Sequence, residues 1–484
     1  MKNRFNNLTS KEWLPFQKSW FLFSDYGLLF VQNILFFTQI KQEESYFPRI
    51  VLDSDRHEIY RLLQKNRSLE GREIIPFDRY SGNERIDFVV FDVTNDVEKL
   101  EKFADFVSFL IELRQKVRHV ISGLAERKFI LILARNKCID GVFYPFAWLL
   151  AKYFQQILSL KDEKVGIDLN RKLSSVINHD HGMATDENII YALYFRKDEM
   201  ASMDFTNGQI PEFQNRRQAK TAFSVSDRFP SYQIVKPPPR KKDEILHPAK
   251  YPEVLIQSFI AHFTKSGDNV FDPMSGTGST QLAALSLGRN AYGTELSTFF
   301  ADIARQRCAK SVSQGHLFKQ VTNRFHIKTK DARQITKDDF PEIHYIITSP
   351  PYWDMLNMKG AENQAKRRQK GLPTNYSNSE NDLGNIADYR MFLRKLTDIY
   401  FRLYDLLVPG RYMTIIVKNI KKKGRNFPLA WDLSLALSKK YILCPETFWF
   451  QDDLRIAPYG YGNTWVSNTF HHYCLTFQKP VSGL

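Results

Sequence analysis

The sequence predicts an α/β fold built on mostly parallel sheet. Apolar, strand-like runs alternate with helix-like segments through the second half of the chain. A glycine-rich turn joins one of those strands to the helix after it. A stretch of the first half recurs in the second. Parallel strands need long crossover connections, and helical crossovers cover both faces of the sheet they join.

The chain has 484 residues, enough for two or three domains at about 150 residues each. It carries 68 basic and 53 acidic side chains, a formal charge of +15, and 43% of its residues are hydrophobic. That balance excludes a wholly disordered or collagen-like chain. Four cysteines, far apart and with no C-x-x-C, exclude a disulfide scaffold and give no zinc spacing. The most apolar early stretch, 28–40, contains Gln32, Asn33 and Gln39 and is shorter than the ~20 residues a membrane span needs. No signal peptide is read, so the expected location is the cytoplasm.

The charge divides unevenly. Residues 1–220 hold 32 basic and 30 acidic side chains, and residues 221–484 hold 36 and 23. Three prolines, Pro237 to Pro239, forbid helix near the change. Two units are therefore expected, 1–220 and 235–484, with the excess positive charge in the second.

The second unit reads as follows. Asn269-Val270-Phe271 is a short strand, 281–287 a helix, 290–295 the next strand and 299–310 a helix. His344 to Thr348 is a strand, 389–407 a helix and 412–417 a buried strand, with a closing pair of strands in 465–478. The loop after the first of these strands is Asp272-Pro273-Met274-Ser275-Gly276-Thr277-Gly278-Ser279-Thr280. Its glycines allow positive φ and close backbone approach to a ligand, and it opens a helix. Glu295 ends the next strand, where a carboxylate can accept both hydroxyls of a ribose. Asp331 is expected at the end of the third strand, near a purine ring. The loop lacks the lysine of a nucleoside-triphosphate loop and a clean G-x-G-x-x-G.

A second motif, Ser349-Pro350-Pro351-Tyr352-Trp353, follows the strand at 344–348. Its prolines lack backbone donors but keep carbonyl acceptors, Ser349 adds a hydroxyl, and Tyr352 offers a stacking face. A flipped base bearing an amine needs such acceptors and such a face.

These residues resemble the DNA amino-methyltransferase family. Asp272–Thr280 is similar to its D-P-F-x-G-x-G-T-T cofactor loop, with Met274 and Ser279 departing from the pattern. Ser349–Tyr352 resembles its S-P-P-Y catalytic motif, and His247-Pro248-Ala249-Lys250-Tyr251-Pro252 its H-P-x-x-[FY]-P element. The resemblance covers about 235–484. It implies a Rossmann-like methyltransferase domain and S-adenosylmethionine as cofactor. That cofactor would be held by His247, Asp272, Pro273, Ser275, Gly276, Gly278, Thr280, Glu295 and Asp331. Catalysis would fall to Ser349, Pro350, Pro351 and Tyr352. S-P-P-Y implies cytosine N4 as acceptor, ahead of adenine N6. A site-specific enzyme of double-stranded DNA is implied, in a restriction–modification or defence setting with a possible cognate component. Transfer to an RNA base or another amine, and a non-catalytic nucleic-acid-binding relative, remain open alternatives.

The repeat concerns the first unit. Residues 105–150 align without gaps to 388–433 at an offset of 283, with twelve identities that include Asn136/Asn419 and Trp148/Trp431. The preceding strand, 86–90, matches 343–347 at an offset of 257. Beyond it the first copy reads Phe91-Asp92-Val93-Thr94 where the second reads Thr348-Ser349-Pro350-Pro351. The first unit is expected to be a degenerate, catalytically silent methyltransferase-like half, packed on the second as a pseudo-dimer within one chain. The difference in offset marks an extra segment, 354–381, with Lys366, Arg367 and Arg368. These, with Lys421, Lys422 and Lys423, are the expected phosphate contacts.

Overall fold

A computed structural model describes residues 6–41, 46–171, 182–219, 228–236, 251–315, 324–351, 353, 382–452 and 467–481. His247, Tyr352 and the 354–381 segment with Lys366, Arg367 and Arg368 lie outside the described residues.

Two sheets form from the chain in order. The first contains β1 (Trp20–Phe23), β2 (Arg49–Ser54), β3 (Glu73–Pro76), β4 (Ile86–Asp92) and β5 (Leu124–Ala134). A hairpin of β6 (Lys137–Ile139) and β7 (Val142–Tyr144) follows, then β8 (Ser159–Asp168) and β9 (Ile189–Arg196) return to the sheet. Its order is β1-β8-β9-β5-β4-β2-β3. The second sheet contains β10 (Tyr232–Ile234), β11 (Asn269–Asp272), β12 (Asn290–Glu295), β13 (Phe325–Thr329), β14 (Ile343–Thr348) and β15 (Leu407–Val417). A second hairpin, β16 (Ile420–Lys422) and β17 (Arg425–Phe427), precedes β18 (Ile442–Leu443), β19 (Phe448–Phe450) and β20 (His471–Gln478). The order is β10-β19-β20-β15-β14-β11-β12-β13, with β18 on β20.

Strands β11 to β15 are parallel, as the strand–helix alternation requires, and β20 enters antiparallel between β15 and β19. The expected closing strand pair within 465–478 is instead the single strand β20, whose partners come from 407–417 and 448–450. The strand expected from 412 begins at Leu407, because Leu407 already pairs with Ile343 before an irregularity at Tyr345. The same irregularity occurs in the first sheet, where Ile86 pairs with Leu124 and Phe88 with Phe129.

The repeat extends to the last strand of each sheet. β9 pairs antiparallel with β5 as β20 does with β15. The contacts between the two copies are reciprocal. Asn419 donates to Glu163 at 2.9 Å, and Asn136, its equivalent, donates to Glu446, the equivalent of Glu163. Each asparagine oxygen accepts a backbone N–H at the start of the following helix, Ala147 at 2.9 Å or Ala430 at 2.8 Å. Tyr191 donates to Glu446 at 2.6 Å and Tyr473 to Glu163 at 3.1 Å. Trp148 and Trp431 are fully buried here, and Trp148 meets Tyr473 edge-on at 5.7 Å. Residue i touching j′ while j touches i′ is the signature of a self-complementary surface. One apolar core runs through both sheets.

Candidate functional site

The strand order of the second sheet reverses between β11 and β14, since β12 and β13 lie on one side of β11 and β14 on the other. Ligands of open α/β sheets sit at the carboxyl ends of strands at such a point. Asp272 ends β11 and Thr348 ends β14, so the glycine loop and Ser349–Pro351 emerge side by side.

Asp272 is fully buried. One carboxylate oxygen accepts Met274 N–H at 2.9 Å and the Thr348 hydroxyl at 2.7 Å. The other accepts Thr280 at 2.7 Å and Tyr251 at 3.2 Å. Burial raises its pKa, against the lowering effect of those donors. Asp272 and Thr280, expected at the cofactor, turn their side chains into the protein as the brace beneath the loop. Pro273 presents its carbonyl to Thr294 at 2.7 Å, and the Ser275 hydroxyl donates to the Asp272 carbonyl at 3.0 Å. These also hold the turn from within.

Gly276 and Gly278 have φ of 51° and 81°, in the left-handed region that a side chain disfavours. A Cβ on Gly278 would lie 3.0 Å from the Ala304 side chain, so the helix Thr298–Gly315 can pack close. The Gly276 N–H donates to Glu295 at 2.8 Å, and Ser297 N–H to the other oxygen of the same carboxylate at 2.9 Å. Burial pushes Glu295 up to about 7. Asp331 is differently placed. It caps a short turn and accepts Arg333 N–H at 2.9 Å and the guanidinium at 3.0 Å. Burial pushes its pKa up, but the Arg333 hydrogen bonds outweigh that and hold it below the usual range.

On the β14 side, Ser349 is half-buried and Pro350 buried. Trp353 anchors the end of the motif. It packs 4.7 Å from Phe427 and 5.2 Å from Tyr389, with the Lys422 ammonium 4.3 Å above its ring. Sequence reasoning missed this aromatic clamp, and it missed Arg307, which donates to the Thr277 carbonyl at 2.6 Å and pairs with Glu253 at 3.0 Å.

The lysine run at 421–423 needs correcting. Lys421 is an ion-pair partner of buried Asp162 and donates to the Ser467 carbonyl at 2.9 Å, so its charge is committed between the two halves. Lys422 lies over Trp353. Lys423 is exposed at the hairpin tip with φ of 49°.

Among the described residues no helix is long and apolar enough to cross a membrane. The sequence profile of the N6/N4 methyltransferases, described as DNA methylase, matches residues 60–306. The matched stretch takes in the β4 end at Asp92 and the loop after β11, and stops before Ser349; the resemblance expected over 235–484 thus extends into the first half. The chain is 43% identical over 61 residues to an orphan methyltransferase, M.BamHII, of Bacillus amyloliquefaciens, covering 13% of this chain and 23% of that one. It is 28% identical over 124 residues to a Type II methyltransferase, M2.LlaDCHI, of Lactococcus lactis subsp. cremoris, covering 25% and 43%. The chain thus spans less than half the length of these relatives. Of solved structures, TrmN from Thermus thermophilus aligns with 17% identity and a TM-score of 0.29, over 47% of this chain and 48% of that one. The profile match covers just over half the chain, and the chain belongs to the N6/N4 DNA methylase family, whose members are S-adenosylmethionine-dependent.

Proposed function

We propose that this chain transfers a methyl group from S-adenosylmethionine to an exocyclic amine of a base in double-stranded DNA, cytosine N4 first and adenine N6 second, in a restriction–modification or defence setting. The observation that carries the reading is the Thr348–Asp272 bond at 2.7 Å, which sets the glycine loop beside Ser349–Pro351. The residues suit the cofactor. Gly276 and Gly278 take the left-handed turn that lets the loop backbone reach Glu295 and lie close against the following helix. Each Glu295 oxygen accepts one backbone N–H and keeps a further lone pair for a ribose hydroxyl. When bound, the cofactor supplies an electrophilic sulfonium methyl.

The chain's own residues do the rest. An aromatic amine is a poor nucleophile because its lone pair is delocalised into the ring. The Ser349 hydroxyl and the Pro350 carbonyl accept the amine's N–H bonds, which favours a pyramidal nitrogen with its lone pair directed at the methyl. Fixing the two reactants in line supplies most of the acceleration. The first half, 1–220, is read as catalytically silent, and Lys366, Arg367, Arg368 and Lys423 as phosphate contacts.

Incubation with tritium-labelled S-adenosylmethionine and DNA, RNA or protein tests the reading. Label in DNA, recovered as N4-methylcytosine on nucleoside analysis, is expected. N6-methyladenine would select the second choice of base, and label confined to RNA or protein would overturn the reading.

A further inference from the structure

The Thr348 side chain belongs to neither surface that would touch a reactant. It is fully buried, one residue before the catalytic motif, and its hydroxyl donates to Asp272 at 2.7 Å. The same carboxylate oxygen holds Met274 N–H at the start of the glycine loop, and its partner oxygen holds Tyr251 and Thr280. Tyr251 in turn lies 3.0 Å from the Thr280 hydroxyl. Three chain segments, at 251, at 272–280 and at 348, therefore meet on one carboxylate. β11 and β14 pair in register at Val270–Tyr345 and Phe271–Ile346, and at the far end of the strands Asn269 N–H donates to the His344 ring at 3.0 Å. On the loop side of that register, among the described residues, the Thr348–Asp272 bond links the ends of the two strands. At the equivalent place the first half has Phe91, which cannot make it.

We infer that Thr348 is a positioning residue for methyl transfer: through Asp272 it registers the base-holding loop against the cofactor loop, so that order at one loop is transmitted to the other. This rests on the function proposed above. A buried hydroxyl lost to a methyl leaves the fold's volume intact but frees Ser349–Pro351 to drift, and a displacement of about 1 Å between reactants costs on the order of 100-fold in rate.

Two hydroxyl-free variants, Thr348→Val and Thr348→Ala, and the hydroxyl-retaining Thr348→Ser are compared with wild type in the full chain. S-adenosylhomocysteine is the probe. In wild type it is expected to slow amide hydrogen exchange in both 272–282 and 343–351. In the hydroxyl-free variants it should slow exchange only in 272–282, with affinity for the probe within threefold and kcat lowered about 10- to 100-fold. Thr348→Ser should restore both. A purely structural role would instead lower thermal stability with no split between probe affinity and kcat. Protection of both segments in Thr348→Val or Thr348→Ala, or Thr348→Ser as impaired as they are, would overturn the inference. A wild-type chain that does not bind the probe would instead overturn the proposed function.

Discussion

The ends of β4 and β14 occupy the same place in the two sheets and face their neighbours differently. After β14, a hydroxyl and a carboxylate meet below the loops, and Gly276 lends Glu295 its backbone N–H, with no side chain of its own. After β4, a cation crosses the gap. Arg56, which follows β2, donates to Asp92 at 3.1 Å, to Thr94 at 3.2 Å and to Asn95 at 2.8 Å, and its guanidinium stacks 4.1 Å from the Tyr26 ring. Asp92 stands where the second half has Ser349, and Thr94 and Asn95 where it has Pro351 and Tyr352. In the first half an ion pair occupies the matching strand end; the lesson is that a site of this kind is defined by what is left out as much as by what is present.

The comparison breaks most visibly at the two motif-heading residues. Ser349→Ala is expected to lower kcat about 100-fold or more while sparing cofactor affinity, a loss typical of one polar group at a reacting centre. Asp92→Asn, at the matching position, should leave kcat within about twofold in stopped-time methylation assays; equal losses at both would show the first half to be active. Next in size is stability. Asp92→Ala takes the carboxylate from Arg56 in a mostly buried place and should cost about 3 kcal/mol in denaturant unfolding, the low end for a broken buried pair because Arg56 keeps Thr94, Asn95 and some solvent contact. A loss under about 1 kcal/mol would mean the ion pair does not hold that end.

The reciprocal interface offers smaller effects. Asn419→Ala takes one donor from Glu163, which keeps Tyr473, and strands the Ala430 N–H, and should cost about 1–3 kcal/mol. The smallest effect sharpens an asymmetry. Glu163 has His471 at 3.4 Å, whereas the residue equivalent to His471 beside Glu446 is Ile189. Burial pushes Glu446 up to about 7 from the 4.5 usual for the group. A carboxyl raised on folding binds more protons in the native state, so its contribution is full below about 4.5 and is lost as pH rises through 7. Glu446→Gln should flatten that part of the stability–pH curve. Glu295, also raised to about 7, contributes with the same sign.

Much of the second half was legible in the sequence, because its strands are apolar runs bounded by glycine and acidic turns. β12 falls on the expected 290–295, and the glycine loop lies between strand and helix as its residues require. Roles that depend on which way a side chain turns were not legible. Asp272 in a cofactor motif gave no sign that four donors would claim it from inside. Lys421 sits in a run of basic residues, but of its three lysines only Lys423 at the hairpin tip is exposed. The partner that takes Lys421 is Asp162, in a strand reading Lys161-Asp162-Glu163-Lys164. By composition that strand belongs on a surface, yet β8 is buried along its whole length, because the other half of the chain lies on it. The repeat was visible, but the pairing of asparagine with glutamate across it needed the third dimension.

Those reciprocal hydrogen bonds have a kinetic consequence. Two separate chains holding such a surface together would part on dilution, and anything depending on the pair would fade with concentration. Here both partners ride on one polypeptide, so their encounter is first-order, at an effective concentration on the order of millimolar that no dilution lowers. A chain present at a few copies per cell would keep this scaffold assembled at any abundance.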